Sequence, residues 1–129
     1  MRRLAIALAA CAFAVPAVAA GPATIEPKAL NERIAWADHS LFLLDVRSPE
    51  EFEAGHLPGA VNIPHGELAA RIVELSTARE RDVVVYCRTG VRSGQALEVL
   101  DKAGFERLFH LKGDYTRWSE EKRPVVATQ

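Results

Sequence analysis

A cysteine flanked by two arginines is the most chemically suggestive feature of this 129-residue sequence. It opens a loop-like segment that reads Cys87-Arg88-Thr89-Gly90-Val91-Arg92-Ser93. If this segment wraps around the cysteine sulfur, several backbone N–H groups of residues 89–93 point inward, and the following helix adds the positive end of its dipole. Such surroundings favour a thiolate, and guanidinium groups bind oxyanions. The segment therefore predicts a nucleophilic cysteine that meets an anionic substrate.

The competing interpretation of Cys87 is purely structural. A cysteine at the end of a core strand is often a small buried apolar residue without a chemical role. The two arginines favour the reactive interpretation, and so does Gly90, which permits the tight backbone turn that a cradle needs. We take Cys87 as the candidate catalytic residue, with Arg88, Arg92 and the loop backbone as candidate substrate-binding groups.

Strand and helix patterns alternate along the chain around this segment. Short apolar runs predict strands at residues 41–46, 60–63, 82–87 and 105–111. Helical spacing and helix-start signals, among them a capping box at Ser48-Pro49-Glu50-Glu51, predict helices from residue 27 and over residues 49–55, 65–77, 93–103 and 114–121. This alternation is typical of an α/β fold with a parallel sheet, whose ligands bind beyond the carboxyl ends of the strands. Cys87 lies at such an end.

Two charged residues, Asp45 and Arg47, end a neighbouring strand on the same side of the sheet as Cys87. We expect them to support the loop by hydrogen bonds, or by an ion pair with Glu50, Glu51 or Glu53. Direct catalysis by either residue is an alternative.

The histidines do not indicate a metal site. His39, His65 and His110 are scattered along the sequence, and they do not combine with enough cysteines to form a ligand set. A hydrogen bond from the ring to the backbone is a sufficient explanation for His56, since a thiolate nucleophile needs no general base.

The first twenty residues have the features of a secretory signal peptide. A basic start precedes an apolar run, a proline interrupts the run, and the run ends in Ala17-Val18-Ala19. We expect cleavage after Ala19 or Ala20, which leaves a single exported domain over residues 21–129 with Cys87 as its one cysteine. An uncleaved membrane anchor and a lipoprotein modified at Cys11 are the alternatives, although the apolar run is short and alanine-rich.

Composition limits the class of protein further. The chain is 49% hydrophobic, 26% charged and 7% aromatic, which fits a globular domain and argues against disorder, collagen and coiled coil. It has 16 Lys and Arg against 17 Asp and Glu, a formal net charge of -1, and its basic residues form no block. We therefore expect no nucleic-acid partner.

Several segments together resemble the rhodanese-like sulfurtransferases. They are Leu44-Asp45-Val46-Arg47-Ser48-Pro49-Glu50-Glu51-Phe52, Gly55-His56-Leu57-Pro58-Gly59-Ala60-Val61-Asn62-Ile63-Pro64, the segment 87–93, and Leu111-Lys112-Gly113 with Trp118. The chain is similar to the small, single-domain, exported type represented by phage-shock protein E, which implies a periplasmic location. The resemblance covers nearly all of residues 21–129. It implies a rhodanese-like α/β fold, a five-stranded parallel sheet with helices on both faces.

The resemblance also implies a reaction. The cysteine takes the outer sulfur of thiosulfate, releases sulfite, and passes the sulfur from a persulfide to cyanide or a thiol. Since the thiolate, the persulfide and thiosulfate are all anionic, one cradle serves every state. No metal, nucleotide or organic cofactor is needed. The partners are then a small-molecule sulfur donor, a thiophilic acceptor and, as an option, a sulfur-accepting protein.

One departure from the family pattern occurs after the last predicted strand. Family members commonly have two glycines there, whereas this sequence has Gly113-Asp114. We expect Asp114 to cap the helix that follows, changing the turn without loss of activity.

Two other functions remain open at this point. A cysteine phosphatase has five residues between its cysteine and its arginine, but Cys87 and Arg92 enclose only four, and the loop has no acid to protonate a leaving group. A non-catalytic carrier that delivers persulfide sulfur to a protein would load the same Cys87.

Overall fold

The computed structural model describes residues 2–7, 9–12 and 21–128 of the chain. The predicted cleavage site after Ala19 or Ala20 and part of the apolar run before it lie outside the described residues. Among the residues that are described, no helix combines the length and the apolar character needed to cross a membrane. The signal peptide and the domain start at residue 21 stay predictions.

Strands and helices alternate from residue 23 to residue 120. The strands are β1 (Ala23–Ile25), β2 (Leu41–Asp45), β3 (Val61–Asn62), β4 (Asp82–Tyr86) and β5 (Leu108–Leu111). The α-helices are α1 (Pro27–Ala35), α2 (Pro49–Ala54), α3 (Val91–Lys102) and α4 (Asp114–Glu120). Each predicted strand is thus present, with bounds shorter than the apolar runs that predicted them.

The α-helix predicted over residues 65–77 is wrong in type. Two 3₁₀ helices, His65–Glu67 and Ile72–Ala78, occupy this stretch. Arg71 lies between them with φ -108° and ψ 12°, outside the α-helical region, so the helix cannot continue through it. Leu68 and Leu75 are nevertheless buried, so the apolar stripe correctly identified the core-facing side chains.

The five strands form one all-parallel sheet in the order β1-β5-β4-β2-β3. The five-stranded parallel sheet is therefore confirmed. The apolar pattern did not indicate β1, which pairs with β5 at one edge of the sheet. β4 is the central strand, and its register with β2 aligns Asp45 with Tyr86. The carboxyl ends of β2 and β4 consequently lie side by side, which places residues 46–47 next to residue 87.

Alternate side chains of β4 pack into two separate cores. Val83 and Val85 pack with α3 and the 3₁₀ segment on one face of the sheet. Val84 and Tyr86 pack with α1 and α4 on the other face. Helices therefore cover both faces, as predicted. Because burying one such side chain contributes about 1.5–3 kcal/mol, this strand holds the position of Cys87 firmly.

The predicted capping box at the start of α2 is confirmed. The Ser48 hydroxyl accepts a hydrogen bond from the Glu51 N–H at 3.2 Å, and the Ser48 N–H donates to the Glu51 carboxylate at 3.3 Å. α2 ends before Gly55, also as predicted. The capping box fixes the position of Glu51, which contributes to the site described next.

Candidate functional site

Cys87 directly follows β4 and is 1% exposed. Its Sγ accepts a hydrogen bond from the Gly90 N–H at 3.0 Å and lies 3.4 Å from the Ser93 Oγ. Of the predicted loop amides, those of Thr89, Gly90, Val91 and Ser93, the described residues show only the Gly90 amide bonded to the sulfur. Gly90 is the N-cap residue of α3 and has φ 120°, a left-handed conformation that favours glycine. The sulfur thus lies at the amino end of a helix, where the helix dipole favours negative charge.

The backbone of the loop is held by the start of α4. The carbonyl of Cys87 accepts from the Tyr115 N–H at 3.0 Å, and the carbonyl of Arg88 accepts from Thr116 N–H at 3.1 Å and Thr116 Oγ1 at 2.8 Å. The Arg88, Thr89 and Val91 side chains are exposed. The loop therefore presents Arg88 to solvent while its backbone is fixed from behind.

Arg92 is bound to Glu51 of α2. Its two terminal nitrogens donate to the two carboxylate oxygens at 2.6 and 3.0 Å, a bidentate pair. The hydrogen bond from Arg92 lowers the pKa of Glu51 to about 2, and the same bond raises the pKa of Arg92. The sequence predicted Arg92 as a substrate-binding group, and the structure shows that any anion at this guanidinium has to share it with Glu51.

This ion pair predicts a pH-dependent contribution to stability. We expect Glu51→Gln to lower the free energy of unfolding at pH 7 by about 1 kcal/mol, since the pair is partly exposed. The pKa of Glu51 in the folded chain, about 2, lies below the ordinary 4.5. Its contribution is therefore fully present above pH 4.5, and it disappears as the pH falls through about 2. Urea unfolding of both proteins from pH 7 to pH 2.5 measures the difference.

The matched control is Glu50→Gln, which changes an exposed carboxylate in the same helical turn. We expect it to alter stability by less than about 0.5 kcal/mol. A Glu51→Gln difference that stays constant from pH 7 to pH 2.5 would contradict the prediction.

Asp45 and Arg47 form a buried ion pair with each other. They are 0% and 3% exposed, and an Arg47 Nη2 lies 2.7 Å from the Asp45 Oδ2. Arg47 also donates to the carbonyl of Gly55 at 2.6 Å, and its guanidinium lies 4.0 Å from the centre of the Tyr115 ring. Supporting hydrogen bonds, one of the two predicted roles, are therefore present, whereas the alternative of an ion pair with Glu50, Glu51 or Glu53 is wrong. The Asp45 carboxylate points into the interior, where it requires the nearest cation as its partner.

Asp114 does not cap α4, so that prediction is also wrong. Gly113 is the N-cap residue, without a side-chain cap, and Asp114 is 1% exposed with φ 53°. The turn thus keeps the left-handed conformation that a second glycine would adopt, which an aspartate tolerates better than most residues do. Its Oδ1 instead accepts from the Cys87 N–H at 3.0 Å and from the Ser93 hydroxyl at 2.9 Å.

His110 completes the surroundings of Asp114, and sequence reasoning missed it. Its Nε2 lies 3.0 Å from both carboxylate oxygens of Asp114 and 3.0 Å from the Ser93 Oγ. The hydrogen bond to Asp114 raises the pKa of His110. Two signals in the sequence could have identified this pair. An aspartate stands at position 114 where the family commonly has a second glycine, and it follows His110 by four residues.

His56 and the possible metal ligands are the remaining candidates from the sequence. The His56 Nδ1 lies 2.7 Å from the carbonyl of Phe52, which is the ring-to-backbone hydrogen bond that was predicted. Within residues 2–7, 9–12 and 21–128, no group of three or more His, Cys, Asp or Glu side chains is arranged to hold a metal ion.

A groove of about 410 Å³ opens beside the loop, between α2 and α4. Arg88 of the loop lies along it, and the residues that line it include Arg47, Glu51, Gly55, Tyr115, Thr116 and Glu120. The groove therefore combines cations, carboxylates and an aromatic ring next to the site of Cys87.

Similarity to known proteins covers most of the chain. The family model for the rhodanese-like domain matches residues 26–121. A sulfurtransferase of Allochromatium vinosum is 35% identical over 105 residues, which are 81% of this chain and 95% of that protein. The crystal structure of a rhodanese-related protein from Thermoplasma volcanium has a TM-score of 0.70 and 33% identity, covering 81% of this chain and 97% of the other.

A further relative is much longer than this chain. The probable adenylyltransferase/sulfurtransferase MoeZ of Mycobacterium tuberculosis is 37% identical over 110 residues, which are 84% of this chain. Those residues are only 27% of that protein, so the chain spans about a quarter of its length.

Proposed function

This chain belongs to the family of rhodanese-like domains, and we propose that it is a thiosulfate sulfurtransferase, which moves sulfur through a persulfide on Cys87. Its sulfurtransferase homologues support sulfur transfer as the general function. The observation that carries the finer proposal is the Gly90 N–H, which donates to the Cys87 Sγ at the amino end of α3. A fixed donor aimed at sulfur stabilises the anionic forms that this reaction requires.

The proposed reaction has two balanced steps. The Cys87 thiolate attacks the outer sulfur of thiosulfate, an S–S bond forms at Cys87, and the S–S bond of thiosulfate breaks with its electron pair leaving on sulfite. The enzyme then carries a persulfide anion. Cyanide attacks the outer sulfur of that persulfide, thiocyanate leaves, and the electron pair of the broken S–S bond regenerates the thiolate. No further oxidant or reductant is consumed.

We place the donor's sulfonate oxygens against the cations of the loop. Arg88 is exposed beside the groove, whereas Arg92 is partly buried and bound to Glu51. Because Glu51 offsets the charge of Arg92, Arg88 and the Gly90 amide supply most of the attraction for the dianion. The groove beside Arg88, with a volume of about 410 Å³, has room for a small thiol acceptor. We expect small-molecule donors and acceptors as the primary partners and no nucleic acid.

Sulfur loading is the direct test of the proposal. After incubation with thiosulfate, the intact mass is expected to rise by about 32 Da, one sulfur atom, with the added mass on Cys87. Cyanide should remove the added mass and release thiocyanate, repeatedly when thiosulfate is in excess. Loading without repeated turnover would favour a persulfide carrier that delivers sulfur to a protein. Hydrolysis of an aryl phosphate faster than turnover of thiosulfate would favour a phosphatase. Either result contradicts the proposed activity.

We also propose that the protein is exported to the periplasm as a small single-domain enzyme similar to phage-shock protein E. The pattern of residues 1–20 supports this, and we expect no stable membrane insertion after cleavage. The protein purified from a periplasmic fraction should begin at Ala20 or Gly21. An amino terminus that still contains Arg2 and Arg3 would contradict export by cleavage.

A further inference from the structure

Three polar side chains next to Cys87 have no part in the sulfur transfer described above. Asp114 accepts from the backbone N–H of Cys87, and Ser93 lies between the Asp114 carboxylate, at 2.9 Å, and the Cys87 sulfur, at 3.4 Å. The His110 Nε2 lies 3.0 Å from both Ser93 and Asp114. β5, α4 and α3 thus each contribute one member to a cluster that ends at the sulfur.

The negative charge of Asp114 conflicts with a negative charge on the Cys87 sulfur. Its carboxylate is 1% exposed, and a single hydroxyl separates it from a sulfur that is negative both as thiolate and as persulfide. Two negative charges so close together in a buried place oppose each other. Asp114 alone would therefore make the anionic forms of Cys87 less favourable.

His110 is placed to remove this conflict. Its side chain is 27% exposed, so the ring can exchange a proton with solvent, and its Nε2 faces both oxygens of Asp114. We propose that His110 is a positioning residue for Cys87, whose protonated ring neutralises Asp114 and thereby favours anionic sulfur. The inference rests on the proposed role of Cys87 as the sulfur-carrying nucleophile. The raised pKa of His110, caused by the hydrogen bond to Asp114, agrees with it.

The Ser93 hydroxyl connects the Asp114–His110 pair to the Cys87 sulfur. It has one proton, which it donates to the Gly90 carbonyl at 3.1 Å or to the Asp114 carboxylate at 2.9 Å, and its oxygen accepts from the Cys87 thiol at 3.4 Å. Once the sulfur is anionic it has no proton to donate and becomes a third acceptor for the hydroxyl. When the protonated His110 ring donates to Asp114, the carboxylate competes less strongly for this proton. The hydroxyl then turns toward the sulfur, where charge-assisted hydrogen bonds are the stronger ones.

Other charged groups face the site from each element around it. Arg92 of α3 is paired with Glu51 of α2, and the loop residue Arg88 is exposed. Behind them, Asp45 of β2 is paired with Arg47. Arginines keep their charge across the working pH range, and the ordinary pKa of histidine lies near neutrality. Among the described residues around the sulfur, His110 is therefore the group whose charge changes near neutral pH.

Charge-neutralising variants of the full chain test the inference. Alkylation by iodoacetamide is followed by intact mass from pH 6 to pH 9 in chains that also carry Cys11→Ser, so that the added mass reports the anionic sulfur of Cys87. We expect His110→Gln to slow alkylation about tenfold at pH 7, because Asp114 then acts without its counter-charge. We expect Asp114→Asn to stay within about twofold of wild type. The substitution removes the carboxylate, and without it the pKa of His110 is no longer raised, so most of the ring's charge at pH 7 is lost as well. Combining it with His110→Gln should restore the rate to within about twofold of Asp114→Asn.

The control and the second measurement make the test decisive. His39→Gln changes an exposed histidine outside the cluster and should leave the alkylation profile unchanged. Because the coupling is reciprocal, Cys87→Ser should lower the pKa of His110. NMR of the His110 ring protons measures this pKa, and the variant leaves Ser93, His110 and Asp114 intact. A wild-type profile for His110→Gln, a double variant no faster than His110→Gln, or an unshifted His110 in Cys87→Ser overturns the inference. If Cys87 accepts no sulfur while these shifts are observed, the proposed sulfur transfer fails, and only the effect of His110 on the charge of the Cys87 sulfur is supported.

Discussion

Cys87→Ser is expected to abolish sulfur transfer, lowering kcat/KM by at least about a thousandfold, since the serine hydroxyl is not ionised at neutral pH and forms no persulfide. The fold should persist, because serine has nearly the size of cysteine and its oxygen can still accept from the Gly90 N–H. The measurement is thiocyanate release from thiosulfate and cyanide. Circular dichroism of both proteins verifies that they are equally folded.

The matched control for this loss is the other cysteine. Cys11 is exposed, and it lies in the segment that we expect to be removed on export. Cys11→Ser in the uncleaved chain should therefore leave turnover unchanged and should load the same mass of sulfur. Turnover by Cys87→Ser above about a hundredth of the wild-type rate, or a comparable loss in Cys11→Ser, would contradict the assignment of Cys87 as the nucleophile.

The position of Cys87 was predictable because its signals are local. The apolar residues of β4 form a continuous run, as expected of a strand buried on both faces, and the residue after that run is necessarily at its carboxyl end. A glycine follows three residues later, at the place where a left-handed backbone starts α3. Short-range sequence patterns therefore locate Cys87, the loop and the helix dipole together.

Elements whose formation depends on distant partners were not predictable in the same way. β1 has three residues, mostly exposed, and is ordered by pairing with β5 more than eighty positions later in the chain. At three residues, Ala-Thr-Ile is too short for its apolar pattern to identify a strand. The 3₁₀ helices that follow β3 carry an apolar stripe resembling that of an α-helix, and the pattern of side chains does not report the break at Arg71.

The partners of charged side chains were the least predictable part of the site. The sequence predicts Asp114 as a local helix cap, but the hydrogen bond that it accepts from Cys87 spans 27 residues. The Arg92–Glu51 pair spans 41 residues. Both contacts exist because parallel strands bring their carboxyl ends to one edge of the sheet. Glu50, Glu51 and Glu53 were the predicted partners of Arg47, but the carboxylate two residues before it, Asp45, is buried and takes the arginine.

The buried pair of Asp45 and Arg47 predicts the largest effect of a substitution on stability. Arg47→Met removes the cation beside Asp45 and leaves a carboxylate that is 0% exposed without its partner. We expect the free energy of unfolding to fall by about 3–5 kcal/mol, since an unpaired buried charge is far more costly than the pair itself. The bond to the Gly55 carbonyl and the contact with Tyr115 are lost as well. Urea unfolding at pH 7, followed by circular dichroism, measures the change.

Two further variants distinguish the destabilisation caused by an unpaired buried charge from the effect of removing an arginine in general. Arg71→Met removes an arginine from an exposed pair with Glu74 and should change stability by less than about 0.5 kcal/mol. Asp45→Leu combined with Arg47→Met removes both buried charges, so it should be less destabilising than Arg47→Met alone. If the double variant is instead the less stable of the two, the unpaired carboxylate is not the cause. The hydrogen bond that Asp45 accepts from the backbone N–H of residue 47, which only the double variant loses, would then matter more than its charge.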